Sequence, residues 1–159
     1  MIENYIVNGI KKTYIDLEFF TNEISNHYFP EYLLTVNIAK EISKIKDIPT
    51  DPYKIILEEP TKVFARICVP TFGEAEEADR YGFSQMIISK LKNTTRNGKV
   101  DIGIYAEENG IKHSKYCVEV KGNNPSKKEI VKDINRLSEL FRITDVTGSN
   151  SLEQAFLPF

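Results

Sequence analysis

The clearest hydrophobic pattern in the chain lies in residues 30 to 45, PEYLLTVNIAKEISKI. Its apolar residues recur at helical spacing: Leu34, Ile38, Ile42 and Ile45. This spacing predicts an amphipathic helix, and Pro30 suits its first turn. Glu31 falls in the same angular sector as the apolar stripe, whereas Glu41 lies at its flank. Each acid is a candidate for a site beneath the helix, and each also fits the rim of a packed helix.

A second helix is predicted over residues 125 to 141, PSKKEIVKDINRLSELF. Ser126, followed three residues later by Glu129, forms a capping box, which is typical of a helix start. The apolar positions of this segment predict a buried stripe: Ile130, Ile134, Leu137 and Phe141. The helix is also rich in basic residues.

Segments rich in β-branched and aromatic residues predict the strands. Residues 53 to 59 and 61 to 70 have this composition and are separated at Pro60. Residues 99 to 106, KVDIGIYA, and 115 to 122, KYCVEVKG, predict a β-hairpin whose loop is the polar stretch EENGIKHS.

The remaining segments carry weaker patterns. Asn8 and Gly9 suit the positive φ angles of a type I′ turn, so a hairpin is predicted near the N-terminus. Residues 83 to 93 have helical spacing and follow an acidic loop or helix. Residues 153 to 159, EQAFLPF, predict the start of a last strand, and whether the chain continues in a longer protein is left open.

Period-two alternation sorts the side chains of the predicted hairpin into two faces. The apolar face holds Val100, Ile102, Ile104, Tyr116, Val118 and Val120. The opposite face holds Asp101, Gly103, Tyr105, Cys117, Glu119 and Lys121. If the strands are neighbours, two carboxylates and a lysine therefore meet on one face, and Gly103 leaves open space beside Asp101.

Length and composition limit the function classes. The chain has 159 residues and a formal net charge of −2, which predicts one globular domain and excludes bulk electrostatic coating of nucleic acid. No apolar run reaches the roughly 18 to 20 residues of a membrane span, and the N-terminal sequence lacks a secretory layout. These features predict a cytoplasmic protein without a membrane partner. Cys68 and Cys117 fit buried thiols, and the isolated His27 and His113 leave zinc little to bind.

Two carboxylates held close together on a partly buried face repel each other unless a cation lies between them. Mg²⁺ suits this arrangement, because it takes one or two carboxylates together with water and phosphate oxygens. Lys121, two residues after Glu119, could hold or deprotonate a water molecule bound to this metal ion, which would make the water a nucleophile. A Glu-x-Lys triplet is nevertheless frequent in a chain with 23 acids and 21 bases, so a structural cross-strand ion pair stays an alternative.

The combination of an acid in VDIGI, the triplet in VEVKG and the following helix KKEIVKDINRL resembles the PD-(D/E)xK nucleases of the restriction-endonuclease-like superfamily. The resemblance covers residues 30 to 142, with EYLLTVNIAKEI at the place of the helix that often supplies a further Glu. It implies an α/β fold with an αβββαβ core, in which a mixed central sheet is flanked by helices. One domain over residues 1 to 159 is then expected, with its core at about 30 to 159 and an insertion at about 61 to 97.

The resemblance also implies site residues. Asp101 and Glu119 would bind Mg²⁺ or Mn²⁺, the Val120 carbonyl would add a ligand, and Lys121 would position or activate the water. Glu31 is the expected helix acid, with Glu41 as its alternative. The residue before the first acid is Val100 where the family pattern has Pro.

The implied activity is metal-dependent hydrolysis of nucleic-acid phosphodiesters, with DNA preferred to RNA. The basic residues expected to meet phosphates are Lys127, Lys128, Lys132 and Arg136. Asp133 and Arg136 are spaced i, i+3, so a local ion pair is the alternative for this arginine. A non-catalytic nucleic-acid or protein-binding module stays open, as does a homodimer or a larger restriction or phage-defence complex.

Overall fold

The computed structural model of the chain describes residues 2–22, 30–47, 53–69, 97–108, 111–122, 124–144 and 149–158. In chain order its helices and strands are α1 (Ile2–Thr21), α2 (Glu31–Ile42), β1 (Lys54–Pro60), α3 (Thr61–Ile67), β2 (Lys99–Glu108), β3 (Ile111–Val118), α4 (Lys127–Leu140) and β4 (Gln154–Phe156). A 3₁₀ turn, Ser43–Asp47, follows α2. The predicted helix at 83 to 93 lies outside the described residues.

The strands form one mixed sheet in the order β1-β2-β3-β4. β1 pairs with β2 and β2 with β3 in antiparallel orientation, whereas β4 pairs with β3 in parallel. In the hairpin Ile102 is opposite Val118, and the register shifts between Ile104 and Tyr105. The protein is therefore α/β, as predicted, and the predicted hairpin is confirmed with different bounds. Its strands extend further toward the turn, and the second strand ends at Val118 instead of including Glu119 and Lys121.

One face of the sheet packs against α1 and α2, and we call it the α1–α2 side. Its buried side chains are Ile2, Ile6, Leu34, Ile38, Ala39 and Ile42 from the helices, and Ile102, Ile104, Val118 and Val120 from the strands and the residues after them. The apolar stripe predicted for α2 is thus confirmed. The shared face of the hairpin is confirmed except at Val100, which packs on the other side of the sheet.

The hairpin predicted at Asn8 and Gly9 is wrong, because both residues lie inside α1. Gly9 serves close helix packing: a Cβ at this position would lie 2.5 Å from the Ile38 Cα. Beside this crossing, the buried Asn37 amide donates hydrogen bonds to Thr13 Oγ1 at 3.2 Å and to Asp16 Oδ2 at 3.0 Å. The glycine therefore allows α1 and α2 to approach each other closely, and it does not form a turn.

The other face of the sheet packs against α3 and α4, and we call it the α3–α4 side. Its buried residues are Phe64, Ala65, Cys68, Val69, Val100, Tyr105, Cys117, Leu137, Leu140, Ile143 and Leu152. The strand predicted at 61 to 70 is wrong, because Thr61–Ile67 is helical and begins directly after Pro60. The expected open space at Gly103 is also absent, since a Cβ there would lie 3.0 Å from the Phe64 ring.

Helix α4 begins as predicted, because Ser126 and Glu129 form the reciprocal bonds of a capping box. Its buried face differs from the predicted stripe. Asp133, Leu137 and Leu140 are buried, whereas Ile134 and Phe141 are exposed. The helix is rotated toward its polar residues because Asp133 enters an ion-pair network beneath it.

Strand β4 confirms the predicted last strand, although it is only three residues long. Of the predicted insertion at 61 to 97, the described part is α3 with the residues beside it. Within the described ranges, no helix combines the length and the apolar character required to cross a bilayer.

Candidate functional site

The candidate site lies at one end of the hairpin, where β2 begins and β3 ends. Asp101 is the third residue of β2, and Glu119, Val120 and Lys121 follow directly after β3. Ile102 pairs with Val118, so continuing the antiparallel register by one step brings Asp101 opposite Glu119. The N-terminus of α2 and the middle of α4 reach the same place from opposite sides of the sheet.

Four successive backbone N–H groups hold the Glu-x-Lys segment in position. Glu119 and Lys121 donate to the carbonyls of Phe156 and Pro158, at 2.9 and 3.1 Å. The N–H groups that alternate with these two donate to carboxylates instead of backbone oxygens. Val120 donates to Asp101 Oδ2 at 2.7 Å, and Gly122 donates to Glu31 Oε2 at 3.2 Å.

These alternating bonds have a structural consequence. On one edge, the segment after β3 is hydrogen-bonded to β4 and the residues just after it. On the other edge it is hydrogen-bonded to the side chains of Asp101 and Glu31. Asp101 and Glu31 are therefore fixed relative to the segment that carries Glu119 and Lys121. Such fixed side chains suit chemistry that requires defined distances.

Glu119 is the most deeply buried acid of the site, with 1% of its surface exposed. Its Oε2 accepts a hydrogen bond from the guanidinium of Arg136 on α4. Its Oε1 is also buried, and has no hydrogen-bond partner among the described residues. A buried carboxylate oxygen without a partner is costly, so this atom marks a place where a cation or water fits.

Asp133 links the two cations of the site. Its Oδ1 lies 3.3 Å from the Arg136 guanidinium, and its Oδ2 lies 3.1 Å from Lys121 Nζ. The i, i+3 ion pair predicted as the alternative for Asp133 and Arg136 is thus confirmed. Both carboxylate oxygens of Asp133 face cations, which explains how this acid is accommodated in a buried position on α4.

The pKa values of the two predicted metal-binding acids are raised. Burial raises the pKa of Glu119 to about 8, and the charges of Asp101 and Asp133 act in the same direction against Arg136. Burial likewise raises the pKa of Asp101, although the hydrogen bond from Val120 opposes the shift. Both acids are therefore easier to protonate than free carboxyl groups when no metal ion is bound.

Lys121 is affected differently. Burial lowers its pKa, but the hydrogen bond and charge of Asp133, together with the charges of Glu31 and Asp101, raise the pKa above its usual value. The side chain is therefore an ammonium ion at neutral pH. This favours a lysine that donates hydrogen bonds over one that removes a proton.

The two candidate helix acids occupy different environments. Glu31 reaches the segment after Lys121, and its charge acts on both Asp101 and Lys121. Glu41 lies ten residues further along the same helix and bonds Lys44 at 2.6 Å. The geometry therefore joins Glu31 to the site, and Glu41 forms a local pair.

The four basic residues predicted for phosphate binding differ in their exposure to solvent. Lys127, Lys128 and Lys132 are exposed on α4. Arg136 is turned inward, with 14% of its side chain exposed, and contacts Glu119 and Asp133. Three residues are thus available to an external polyanion, whereas the fourth belongs to the site itself.

Whether a metal ion fits depends on charge and on ligand number. Four carboxylates (Glu31, Asp101, Glu119 and Asp133) meet two cations (Lys121 and Arg136), so full ionisation leaves two negative charges in excess, which one divalent ion neutralises. No three His, Cys, Asp or Glu side chains in the described ranges converge in a metal-binding arrangement. Two carboxylates with water are sufficient for Mg²⁺, so charge and donor chemistry fit, provided that other oxygens complete the shell.

Two site residues have roles that the sequence pattern does not predict. The pattern pairs Asp133 only with Arg136, and it offers Arg136 only as an external phosphate ligand or as that partner. The signal for both is their spacing on a helix immediately after the Glu-x-Lys triplet. Their contacts with Lys121 and Glu119 depend on the rotation of α4, which its apolar residues predict incorrectly.

Comparison of the chain with family models, curated proteins and solved structures finds no match.

Proposed function

We propose that the protein is a divalent-metal-dependent hydrolase of nucleic-acid phosphodiester bonds, with DNA preferred to RNA. The observation that carries this proposal is that Glu31, Asp101, Glu119 and Lys121 lie at one end of the β2–β3 hairpin, close enough for their charges to act on one another. Four residues from three separate segments of the chain, which belong to one catalytic pattern, meet at one place.

The order of the fold supports a PD-(D/E)xK-like core. The sequence α2, β1, β2, β3, α4, β4 follows the helix, three strands, helix and strand of the αβββαβ arrangement. Helices α1 and α3 are additions to it. The segment from 61 to 97 would then be an insertion between the first two core strands.

Asp101 and Glu119, with the Val120 carbonyl, would hold Mg²⁺ or Mn²⁺. Such an ion supplies charge neutralisation and lowers the pKa of bound water. Within the chain, Glu31 fixes the backbone after Lys121 through Gly122 and adds a carboxylate at the exposed edge of the site. Asp101 is held by its hydrogen bond from the Val120 N–H, and Glu119 is held by its bond from Arg136. Both acids are therefore positioned before substrate binds, which lowers the reorganisation needed during the reaction.

Lys121 would bind a phosphate oxygen or the attacking water by donating hydrogen bonds. Its raised pKa keeps the ammonium charged, so it can stabilise the negative charge that grows when water attacks phosphorus and the P–O bond breaks. Asp133 holds the ammonium in place at 3.1 Å. The proposed role is therefore electrostatic and positional.

The substrate class is supported by the exposed lysines Lys127, Lys128 and Lys132 on α4, the helix that also supplies Asp133 and Arg136. Lysines bind phosphates without reading base sequence. Because the net charge of the chain is −2, attraction for nucleic acid must come from such local groups.

The function is tested by incubating the protein with plasmid, linear duplex, single-stranded DNA and RNA in Mg²⁺ or Mn²⁺, and with EDTA. Asp101→Asn keeps an oxygen for the Val120 N–H but removes the charge, and Lys121→Met removes the ammonium. Each change should lower the cleavage rate at least about 100-fold. Matched controls are Glu58→Gln and Lys99→Met, which alter a surface pair with exposed side chains and should cut normally. Cleavage that survives both site substitutions would exclude this site.

A second candidate is a binding module of the same fold that does not turn over substrate. Its specific support is that Lys121 and Glu119 are already paired with Asp133 and Arg136. Such a protein would bind nucleic acid or a protein within a restriction or phage-defence complex, alone or as a dimer. Salt-sensitive nucleic-acid binding without cleavage in any metal would favour this candidate.

A further inference from the structure

Arg136 is the feature of the site that the proposed hydrolysis does not use. Its guanidinium bonds Glu119 Oε2 and lies 3.3 Å from Asp133 Oδ1. The same Glu119 carboxylate is one of the two groups that would hold a divalent ion. One carboxylate therefore has two candidate cations, the arginine of its own chain and the metal.

The two cations oppose each other. A divalent ion held by Asp101 and Glu119 would share the Glu119 carboxylate with the guanidinium, and like charges in a buried site repel strongly. Glu119 Oε1, which has no partner in the described part of the chain, leaves a place for the ion, whereas Oε2 is taken by the arginine. Full coordination by Glu119 would require the guanidinium to withdraw.

Asp133 provides a position for that withdrawal. Arg136 already contacts it, so the guanidinium can leave Glu119 and stay paired inside the protein. The Arg136 Nε is buried without a hydrogen-bond partner among the described residues, so its present position does not satisfy all of its donors. A position paired with Asp133 alone is therefore within short reach of the guanidinium.

We propose that Arg136 is an internal counter-ion that occupies Glu119 in the metal-free protein and retreats to Asp133 when a divalent ion binds. This inference rests on the proposed function in one respect, that Asp101 and Glu119 hold the ion. The arginine offsets the charge of Glu119 whenever that carboxyl group is ionised, and it competes with the metal for the same carboxylate. It acts on Glu119 and is a positioning residue.

The test measures Mn²⁺ binding to the full chain by calorimetry, without nucleic acid. Arg136→Gln removes the competing charge, so Mn²⁺ should bind at least about tenfold more tightly than to the unsubstituted protein. Arg142→Gln, which changes an exposed arginine just after α4, should leave the affinity unchanged. Asp101→Asn should abolish or strongly weaken binding. Equal or weaker affinity in Arg136→Gln would overturn the proposal.

A second measurement uses only the unsubstituted protein, so it does not depend on whether a variant folds. In the unsubstituted protein labelled with ¹⁵N, the Arg136 Nε–H resonance should shift during titration with diamagnetic Mg²⁺, with the same midpoint as binding. The resonance of Arg142 provides the control. An Arg136 signal that does not move while Mg²⁺ binds would contradict the exchange of partners.

The outcomes separate this inference from the proposed function. Metal binding that tightens in Arg136→Gln supports the counter-ion role even if no substrate is cut. Cleavage by the unsubstituted protein with unchanged affinity in Arg136→Gln overturns the counter-ion role and leaves the hydrolase intact. If neither protein binds Mn²⁺ and neither cuts, both proposals fall.

Discussion

On the α1–α2 side of the sheet, the buried residues of helices and hairpin are almost entirely aliphatic, and their polar neighbours Thr13 and Asn37 bond each other. On the α3–α4 side, the same hairpin carries Tyr105 in β2 and Cys117 near the end of β3, and Glu119 follows directly after that strand. The two sides use the same two strands but bury different chemistry.

This difference separates groups that stabilise the fold from groups that oppose it. Aliphatic burial lowers the free energy of the folded state at every pH. A carboxyl group buried as deeply as Glu119 stabilises the fold less than an apolar residue of similar size would, even when an arginine pairs with it. Among the described residues, the buried acids Glu119 and Asp133 lie on the α3–α4 side, which is consistent with selection for a site.

The largest effect is expected in the pH dependence of stability. Because burial raises the pKa of Glu119 to about 8 from an ordinary value of 4.5, the folded protein binds its proton more tightly than the unfolded chain. Stability from this group is fully present below about pH 4.5 and is lost as pH rises toward about 8. The steepest slope approaches about 1 kcal/mol per pH unit.

Urea unfolding in EDTA between about pH 5 and pH 8.5 measures this slope. Glu119→Gln should remove the part of it that belongs to this carboxyl, whereas Glu58→Gln, an exposed acid on β1, should leave it unchanged. Parallel curves for the unsubstituted protein and Glu119→Gln would contradict a raised pKa at this position.

The next effect tests the α1–α2 side. Gly9→Ala would normally stabilise a helix by about 1 kcal/mol. Here the new methyl group meets the Ile38 backbone, so we expect a net loss of about 2 kcal/mol in the free energy of unfolding. The exposed neighbour provides the control: Asn8→Ala should be neutral or slightly stabilising. A gain in stability in Gly9→Ala, measured by urea unfolding, would exclude the close helix approach.

A smaller effect distinguishes the two candidate helix acids. Glu31→Gln keeps an oxygen for the Gly122 N–H but removes a negative charge beside Asp101 and Lys121. We expect the cleavage rate to fall about tenfold, since the charge and not the backbone bond is lost. Glu41→Gln, which disturbs only a pair with Lys44, should cut normally. The reverse result in steady-state cleavage assays would assign the role to Glu41.

The smallest effect per residue is expected on the exposed face of α4. Replacing Lys127, Lys128 and Lys132 with Gln should weaken duplex binding and reduce its salt dependence, by about 0.9 in the logarithmic slope for each phosphate contact removed. Lys54→Gln on β1, at the far edge of the sheet, is the control. Binding isotherms at several salt concentrations measure the slope. An unchanged slope in the triple variant would remove α4 from the interface.

The sequence predicts α2, α4 and the hairpin because each buries one regular apolar face, or begins with a specific cap as α4 does. It fails where a residue serves a distant contact. Gly9 has the sequence context of a turn, but Ile38 determines its role. The β-branched and aromatic residues around Phe64 suggest a strand, yet they cover the sheet as a helix.

The grouping of Asp101, Glu119 and Lys121 is predictable, since period-two alternation puts them on one side of the predicted hairpin, although Glu119 and Lys121 lie just after β3. The inward turn of Arg136 is not, because it depends on the rotation of α4. Helical periodicity weighs apolar residues, and here a buried Asp133 decides the rotation against Ile134 and Phe141.

The parallel pairing of β4 has a consequence for the order of biosynthesis. The carbonyls of Phe156 and Pro158 hold the Glu119 and Lys121 N–H groups, although they are made almost forty residues later. A chain still on the ribosome can form α1, α2 and much of the hairpin, but it cannot fix the Glu-x-Lys segment until these residues leave the exit tunnel. Synthesis therefore allows the Glu-x-Lys segment to be fixed only after most of the scaffold that carries it has been made.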